Sequence, residues 1–208
     1  MFITCTPLAE MPTSKAKLIE ATLQLMALKG FESVGIHTLL EQAGVSKSNF
    51  YYHFKSKEQL FLTALDYLCA GYEACVLHNS LLNDALASDE QLNAWFDCVY
   101  RSMAEKQCEG GCPFTNLSTE TSGFFPEFQQ KLSRFFLYQH ELVVQCYQTG
   151  VKQGIFKPNH ATVSATPAED VASLICSSLI GSMVLAQACK RAEIILESKR
   201  QLLVFLTQ

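Results

Sequence analysis

The chain has 208 residues, of which 49% are apolar and 17% charged, and its formal net charge is −4. That apolar share supports a sizeable core and excludes a chain too polar to fold. No apolar run reaches the roughly 18 residues of a membrane helix, and the acidic balance excludes a general polyanion binder.

Nine cysteines, an odd number without regular spacing, fit a reducing cytoplasm better than a disulfide scaffold. The opening MFITCTPLAEMPTS has no basic stretch followed by a long apolar one, so no secretory signal is expected. Residues 1–13 are expected to be a flexible tail.

From about Ser14 the periodicity is helical throughout. The segment from Gly30 to Leu60, GFESVGIHTLLEQAGVSKSNFYYHFKSKEQL, predicts a helix, a tight turn, a second short helix and the start of a longer one. Gly44 supplies the turn and Ala43 allows close helix approach. Ser46 is the N-cap of a helix through Phe54. Phe50 and Phe54, four apart, face one way into a small core completed by Ile36, Leu39, Leu40 and Val45. Lys47, Ser48, Tyr51 and Tyr52 then point outward, and tyrosine hydroxyls there suit phosphate oxygens. This is the layout of a DNA-binding helix-turn-helix.

Further along, Ser56 and Gln59 form a capping box that opens a long helix to about Asn79. Ser88 and Gln91 repeat the box for a helix to about Gln107. EGGCPFTN breaks the periodicity, and a short helix follows to about Ser122. Pro126 suits the first position of a long helix to about Gln153. Thr166, Pro167 and Glu169 combine N-cap, first-position proline and capping glutamate for a helix to about Lys190. A last helix spans Ala192 to Phe205. No period-two strand, repeat or low-complexity tract appears, so the expected fold class is all-α.

Charge is unevenly placed. Residues 1–60 hold six lysines against five carboxylates, while residues 61–208 hold ten basic and fifteen acidic groups. The first arginine is Arg101, so the arginine fork to guanine is unavailable in the head. Lys47 is the best candidate for a base edge, with Asn49 beside it. Lys55 and Lys57 suit phosphates. His37 and Thr38, at the start of the second helix, and Lys15 and Lys17 on the first are weaker candidates.

AGVSKSNFYYHFKSKEQL, with the preceding KAKLIEATLQLMALKGFESVGIHTLL, resembles the signature of the tetracycline-repressor (TetR) family of one-component regulators. The resemblance covers about residues 14 to 62. Ser48 departs from the glycine of many relatives. The resemblance implies an all-helical homodimer with a helix-turn-helix DNA-binding domain at 14–58 and a helical regulatory and dimerisation domain at 59–208. It implies repression of a two-fold-symmetric operator, contacted by His37, Thr38, Ser46, Lys47, Ser48, Asn49, Tyr51, Tyr52, His53, Lys55 and Lys57. A cytoplasmic location follows, with no membrane, cofactor or metal.

The two C-terminal helices carry small residues, among them Ser173, Ser177 and Gly181, interleaved with apolar ones such as Leu185. More apolar surface lies there than one chain would bury, and relatives build a four-helix dimer interface from these helices. The body should hold a small-molecule pocket, with candidate lining from Tyr67, Trp95, Phe96, Tyr100, Met103, Phe114, Phe136, Tyr138 and Tyr147. Their number favours an apolar or aromatic inducer.

Cys112 precedes Pro113 at an expected helix N-terminus, where the dipole favours a thiolate. Cys108, four residues back, is a conceivable resolving partner. GGCPFTNLSTE resembles a segment of the family branch that includes a repressor sensing N-ethylmaleimide and related electrophiles, although Pro113 replaces the usual leucine. Two other classes compete. A helical thiol-dependent enzyme using Cys112 lacks a CxxC pair, a phosphate loop and any HExxH or GxSxG motif. A non-specific architectural DNA binder conflicts with the arginine-free head.

Overall fold

A computed structural model describes residues 12–121, 125–158 and 167–208. Among them are nine α-helices and no strand: α1 Thr13–Lys29, α2 Ile36–Ala43, α3 Lys47–His53, α4 Lys57–Cys75, α5 Ser88–Glu105, α6 Pro113–Thr121, α7 Pro126–Lys152, α8 Ala168–Cys189 and α9 Glu193–Thr207. The all-helical expectation holds. Two compact units divide the chain. One comprises the described part of Met1–Cys75 with Gly110–Leu132, and the other comprises Val76–Glu109 with Ser133–Gln208. The tail expected at residues 1–13 falls mostly outside the described residues, as does the helix end expected at Ser122.

Capping chemistry explains where the helices begin. Pro113 and Pro126 are the first residues of α6 and α7, where a missing N–H costs nothing. Ser56 caps α4 by accepting the Gln59 N–H at 3.2 Å, but the Gln59 carboxamide accepts the Lys55 N–H at 2.7 Å, one residue earlier than a standard box. The box expected from Ser88 and Gln91 is not formed. Glu90 instead accepts the Ala87 N–H at 2.9 Å, so the helix starts one residue earlier than that pair implies. Ser88 is buried, its carbonyl accepting the Cys146 thiol at 3.2 Å, and Gln91 donates to the Asn83 carbonyl. Pro167 is likewise the extended N-cap of α8 rather than its first helical residue; Thr166 lies outside the described residues.

α4 stops at Cys75, short of the expected Asn79, and continues as a 3-10 turn over Leu77–Asn79. The buried Ser80 hydroxyl donates to the Val76 carbonyl at 2.7 Å, satisfying an end-of-helix acceptor where the turn tightens.

In the first unit, Leu18, Ile19, Leu23 and Met26 of α1 pack with Leu39, Phe50, Phe54, Leu60 and Phe61, all buried. In the second, α5 and α8 pack on α9, and Lys199 of α9 donates to the Asp97 carboxylate of α5 at 2.6 Å. No uninterrupted apolar run spans 18 residues, but by length and mean hydropathy Lys57–Asn79 and Ala168–Cys189 are both apolar enough to cross a membrane. Half of the first segment's apolar window is already buried as core, but only 33% of that in α8. Seven described cysteines are free, and Cys75 is disulfide-bonded.

Candidate nucleic-acid interface

The turn between α2 and α3 is set by one glycine. Gly44 adopts φ 61° and ψ 38°, a left-handed geometry that side chains resist. A Cβ there would meet nothing within 4 Å, so the need for glycine is conformational. The Gly44 and Val45 N–H groups donate to the carbonyls of Glu41 and Leu40, closing α2. Ser46 then accepts the Asn49 N–H at 3.3 Å and opens α3. Ser46→Ala is expected to cost about 1 kcal/mol, read as a lower thermal midpoint for the first unit. An unchanged midpoint would remove the cap from the account.

α3 is amphipathic over seven residues. Phe50 is fully buried, and its ring meets Phe54 at 6.2 Å. Val45 and Leu39 are buried as expected, while Ile36 and Leu40 are only half-buried. The other face holds Lys47, Ser48, Asn49, Tyr51 and Tyr52, all exposed, with Tyr52 at 83%. The Tyr52 ring meets the edge of the neighbouring His53 ring, 4.9 Å between centroids, and most of that aromatic surface faces water. Ser46 and Ser48 share a hydroxyl hydrogen bond of 3.0 Å.

Around this face the expected contacts separate. Lys55 is exposed. His37 is exposed and 3.4 Å from Glu41, a surface pair, and Thr38 is half-buried. His53 is drawn inward by a 2.8 Å hydrogen bond with Ser14 of α1. Lys17 is exposed, whereas Lys15 is half-buried with its ammonium 5.8 Å from the Phe54 ring. Lys57 differs most from expectation. Its ammonium donates to the Phe31 carbonyl at 2.7 Å and lies 4.1 Å from the centre of the Phe31 ring. Burial pulls its pKa below the ordinary lysine value, against the opposing carboxylates of Glu58, Glu32 and Glu120. A cation held this way braces the head and is not offered to a phosphate.

The aromatic candidates for a pocket are divided between the units. Phe114 is buried in the first, 5.5 Å from Tyr72, where Tyr67 is half-buried. Trp95, Phe96, Met103 and Tyr147 are buried in the second, Tyr147 stacking on Phe156. Tyr100 and Phe136 are half-buried there, and Tyr138 is exposed.

Of the thiols, Cys112 is half-buried just before α6, its carbonyl accepting the Asn116 N–H at 3.0 Å. Cys108 is buried, and burial pushes its thiol pKa upward, which disfavours the reactive thiolate. Burial likewise pushes Cys69 and Cys146 up to about 12 and Cys176 to about 11. No group of three or more His, Cys, Asp or Glu stands ready for a metal among the described residues.

On the second unit, α8 and α9 expose Leu174, Val184, Leu185, Val204 and Phe205. Ser177 and Gly181 lie exposed among them. Ser173, though exposed, spends its hydroxyl within the chain, donating to the Glu169 carbonyl and bonding His140 of α7 at 3.0 Å.

A left-handed glycine turn, a capped short helix with a bare polar and aromatic face, and a larger helical body define a helix-turn-helix regulatory protein. The family described as bacterial regulatory proteins, tetR family, matches residues 18–64, and the tetracyclin repressor-like C-terminal domain matches residues 88–202. The chain belongs to the TetR family of helix-turn-helix transcriptional regulators. It is 32% identical over 127 residues to an HTH-type transcriptional regulator in the lacX 3′ region of Lactococcus lactis subsp. lactis, spanning 59% of this chain and 62% of that one. It is 30% identical over 115 residues to the transcriptional regulator AcuR of Cereibacter sphaeroides, spanning 55% of this chain and 52% of that one. These matches therefore span less than two thirds of either relative. Among solved structures, a regulatory protein TetR from Rhodobacter sphaeroides is 22% identical with a TM-score of 0.82, covering 93% of this chain and 99% of that one. The reduced form of E. coli NemR is 19% identical with a TM-score of 0.76, covering 93% and 97%. At these identities the two solved structures show a shared fold and not the electrophile-sensing branch.

Proposed function

We propose that this chain is a cytoplasmic transcriptional repressor that binds a two-fold-symmetric DNA operator as a homodimer and is released by a small-molecule effector. The outward face of α3 carries this reading: Lys47, Ser48, Asn49, Tyr51 and Tyr52 stand exposed while Phe50 anchors the helix behind them. The division proposed is a head at 14–58 that reads DNA and a body at 59–208 that dimerises and responds to ligand.

In this reading Lys47 meets a base edge, with Asn49 beside it, and Tyr51, Tyr52, Ser48 and Lys55 hold phosphates. His37 and Thr38 flank them from the start of α2. Lys57 and His53 act from behind, by bracing the head. The exposed apolar stripe of α8 and α9 becomes the interface between two copies, through Ser177, Gly181 and Leu185 with Ser173 at its margin. A second copy places a second α3 about one helical turn along the duplex, and the operator acquires the protein's symmetry. The effector acts by favouring a state in which the two heads no longer match the half-sites, and operator DNA weakens effector binding by the same factor. Cys112, half-buried at the entry to α6, is the thiol through which an electrophilic effector would act.

The test uses a duplex enriched from a random library and a scrambled duplex of equal length. Lys47→Ala is expected to weaken binding to the enriched duplex by about 1–3 kcal/mol while leaving the scrambled duplex nearly unchanged. Equal losses on both, with a salt slope reduced by about one, would make Lys47 a phosphate contact.

A further inference from the structure

The head is gripped at the turn between α1 and α2 by a carboxylate from a distant part of the sequence. Oε2 of Glu120, in the last turn of α6, accepts the Phe31 N–H at 2.5 Å and the Glu32 N–H at 3.2 Å. Gly30, just before them, has φ 75°, and a Cβ on it would lie 1.9 Å from Glu120 Oε1. The turn is thus shaped around the carboxylate: glycine vacates the space and two consecutive N–H groups converge on one oxygen. On the other side of the same residue, Lys57 of α4 donates to the Phe31 carbonyl. The Phe31 ring packs edge-on against Phe61 at 5.0 Å and Phe125 at 5.1 Å. The entry to α6 also touches α1, because a Cβ on Gly110 would lie 2.1 Å from the Ala27 carbonyl oxygen. The segment before α6 thus approaches the last turn of α1, and the last turn of α6 holds the turn that follows α1.

We infer that Glu120 is a positioning residue for DNA recognition: by holding the Phe31 and Glu32 amides it ties the lead-in to α2, and with it the presentation of α3, to the placement of α6. The inference rests on the DNA-binding reading above and deepens it. Without the carboxylate, α2 and α3 keep their packing on α1 and the Ser14–His53 bond, but the turn that leads into α2 loses two of its backbone hydrogen bonds, and their orientation is held less tightly. Sequence-specific contacts demand one orientation, whereas loose phosphate contacts tolerate several. α6 begins beside Cys112, so a change at that end of the helix reaches the reading head through the carboxylate at the other.

The experiment compares wild type, Glu120→Ala, Glu120→Gln and Gly30→Ala as full-length proteins. Each is titrated with the enriched and the scrambled duplex, and amide hydrogen exchange is followed in the same proteins without DNA. Glu120→Ala is expected to lose about tenfold or more on the enriched duplex, the order of a charged hydrogen bond, with little change on the scrambled one. Exchange at Phe31 and Glu32 rises while the amides of α8 and α9 stay protected. Glu120→Gln, which keeps a carbonyl acceptor, recovers most of the loss, and Gly30→Ala reproduces it by displacing the carboxylate. Wild-type affinity in Glu120→Ala, or equal losses on both duplexes without recovery by glutamine, would overturn the inference. Should wild type enrich no duplex, the DNA-binding reading fails and this inference with it. The exchange data would then still say whether the carboxylate grips the turn.

Discussion

Phe50→Ala is expected to unfold the head while the body stays folded. Phe50 is fully buried, and α3 spans only seven residues, so no other side chain of that helix anchors it equally. Removing a buried phenylalanine costs about 3–5 kcal/mol, a large fraction of the stability of a small helical domain. The chain has one tryptophan, Trp95, buried in the second unit. Its emission should keep its buried character in Phe50→Ala while helix content falls and binding to the enriched duplex disappears. A variant that keeps its helix content and its DNA affinity would mean that α3 is held by something other than the packing described.

Leu185→Glu is expected to split the homodimer. Leu185 is 56% exposed on α8, in the stripe assigned to the partner copy. An isologous interface repeats each substitution on both sides. Losing one buried leucine costs about 1.5–3 kcal/mol per copy, and an unpaired carboxylate brought out of water adds to that. The dimer should therefore weaken by at least about a hundredfold, read by sedimentation as a shift to monomer with helix content retained. Operator affinity should fall with it, because a monomer holds a single half-site. A Leu185→Glu protein that sediments as a wild-type dimer would move the interface off this face.

Local chemistry made much of this molecule readable from its residues. Gly44, Ser46, Phe50 and Phe54 form a turn, a cap and a spacing of four, and each is decided within a few residues. Pro113 and Pro126 announced two helix starts for the same reason. Where the expectation slipped, tertiary packing had intervened. Ser88 has the chemistry of an N-cap, but burial against Cys146 takes it into the helix and leaves Glu90 to cap from inside. Lys57 read as a phosphate anchor because it stands near the start of a helix, whereas its ammonium is spent on Phe31, 26 residues away. Glu120 closes the GGCPFTNLSTE segment that carried a family resemblance, but nothing near it in sequence named its partners, which lie 88 and 89 residues back. Ser173 read as a small interface residue from its size and position, and the bond of its hydroxyl to His140, on another helix, had no signal near it in the sequence.

The electrostatics set the style of recognition. A head with six lysines, no arginine and four carboxylates over residues 14–58 would release few counterions on binding, and its salt dependence should be shallow for a DNA reader. Lys57, spent on Phe31, reduces the number of available cations further. In the proposed reading, affinity then comes from hydroxyls, backbone amides and the pairing of two heads, so that dimerisation and head orientation become the decisive variables.

The measurement that bears most directly on the central claim is selection of duplexes from a random library by the wild-type protein, followed by the stoichiometry of the winning complex. A sequence-specific homodimer enriches a two-fold-symmetric site with half-sites about one helical turn apart and binds it with an even number of chains. Absence of enrichment, or a single chain on an asymmetric site, would contradict the account.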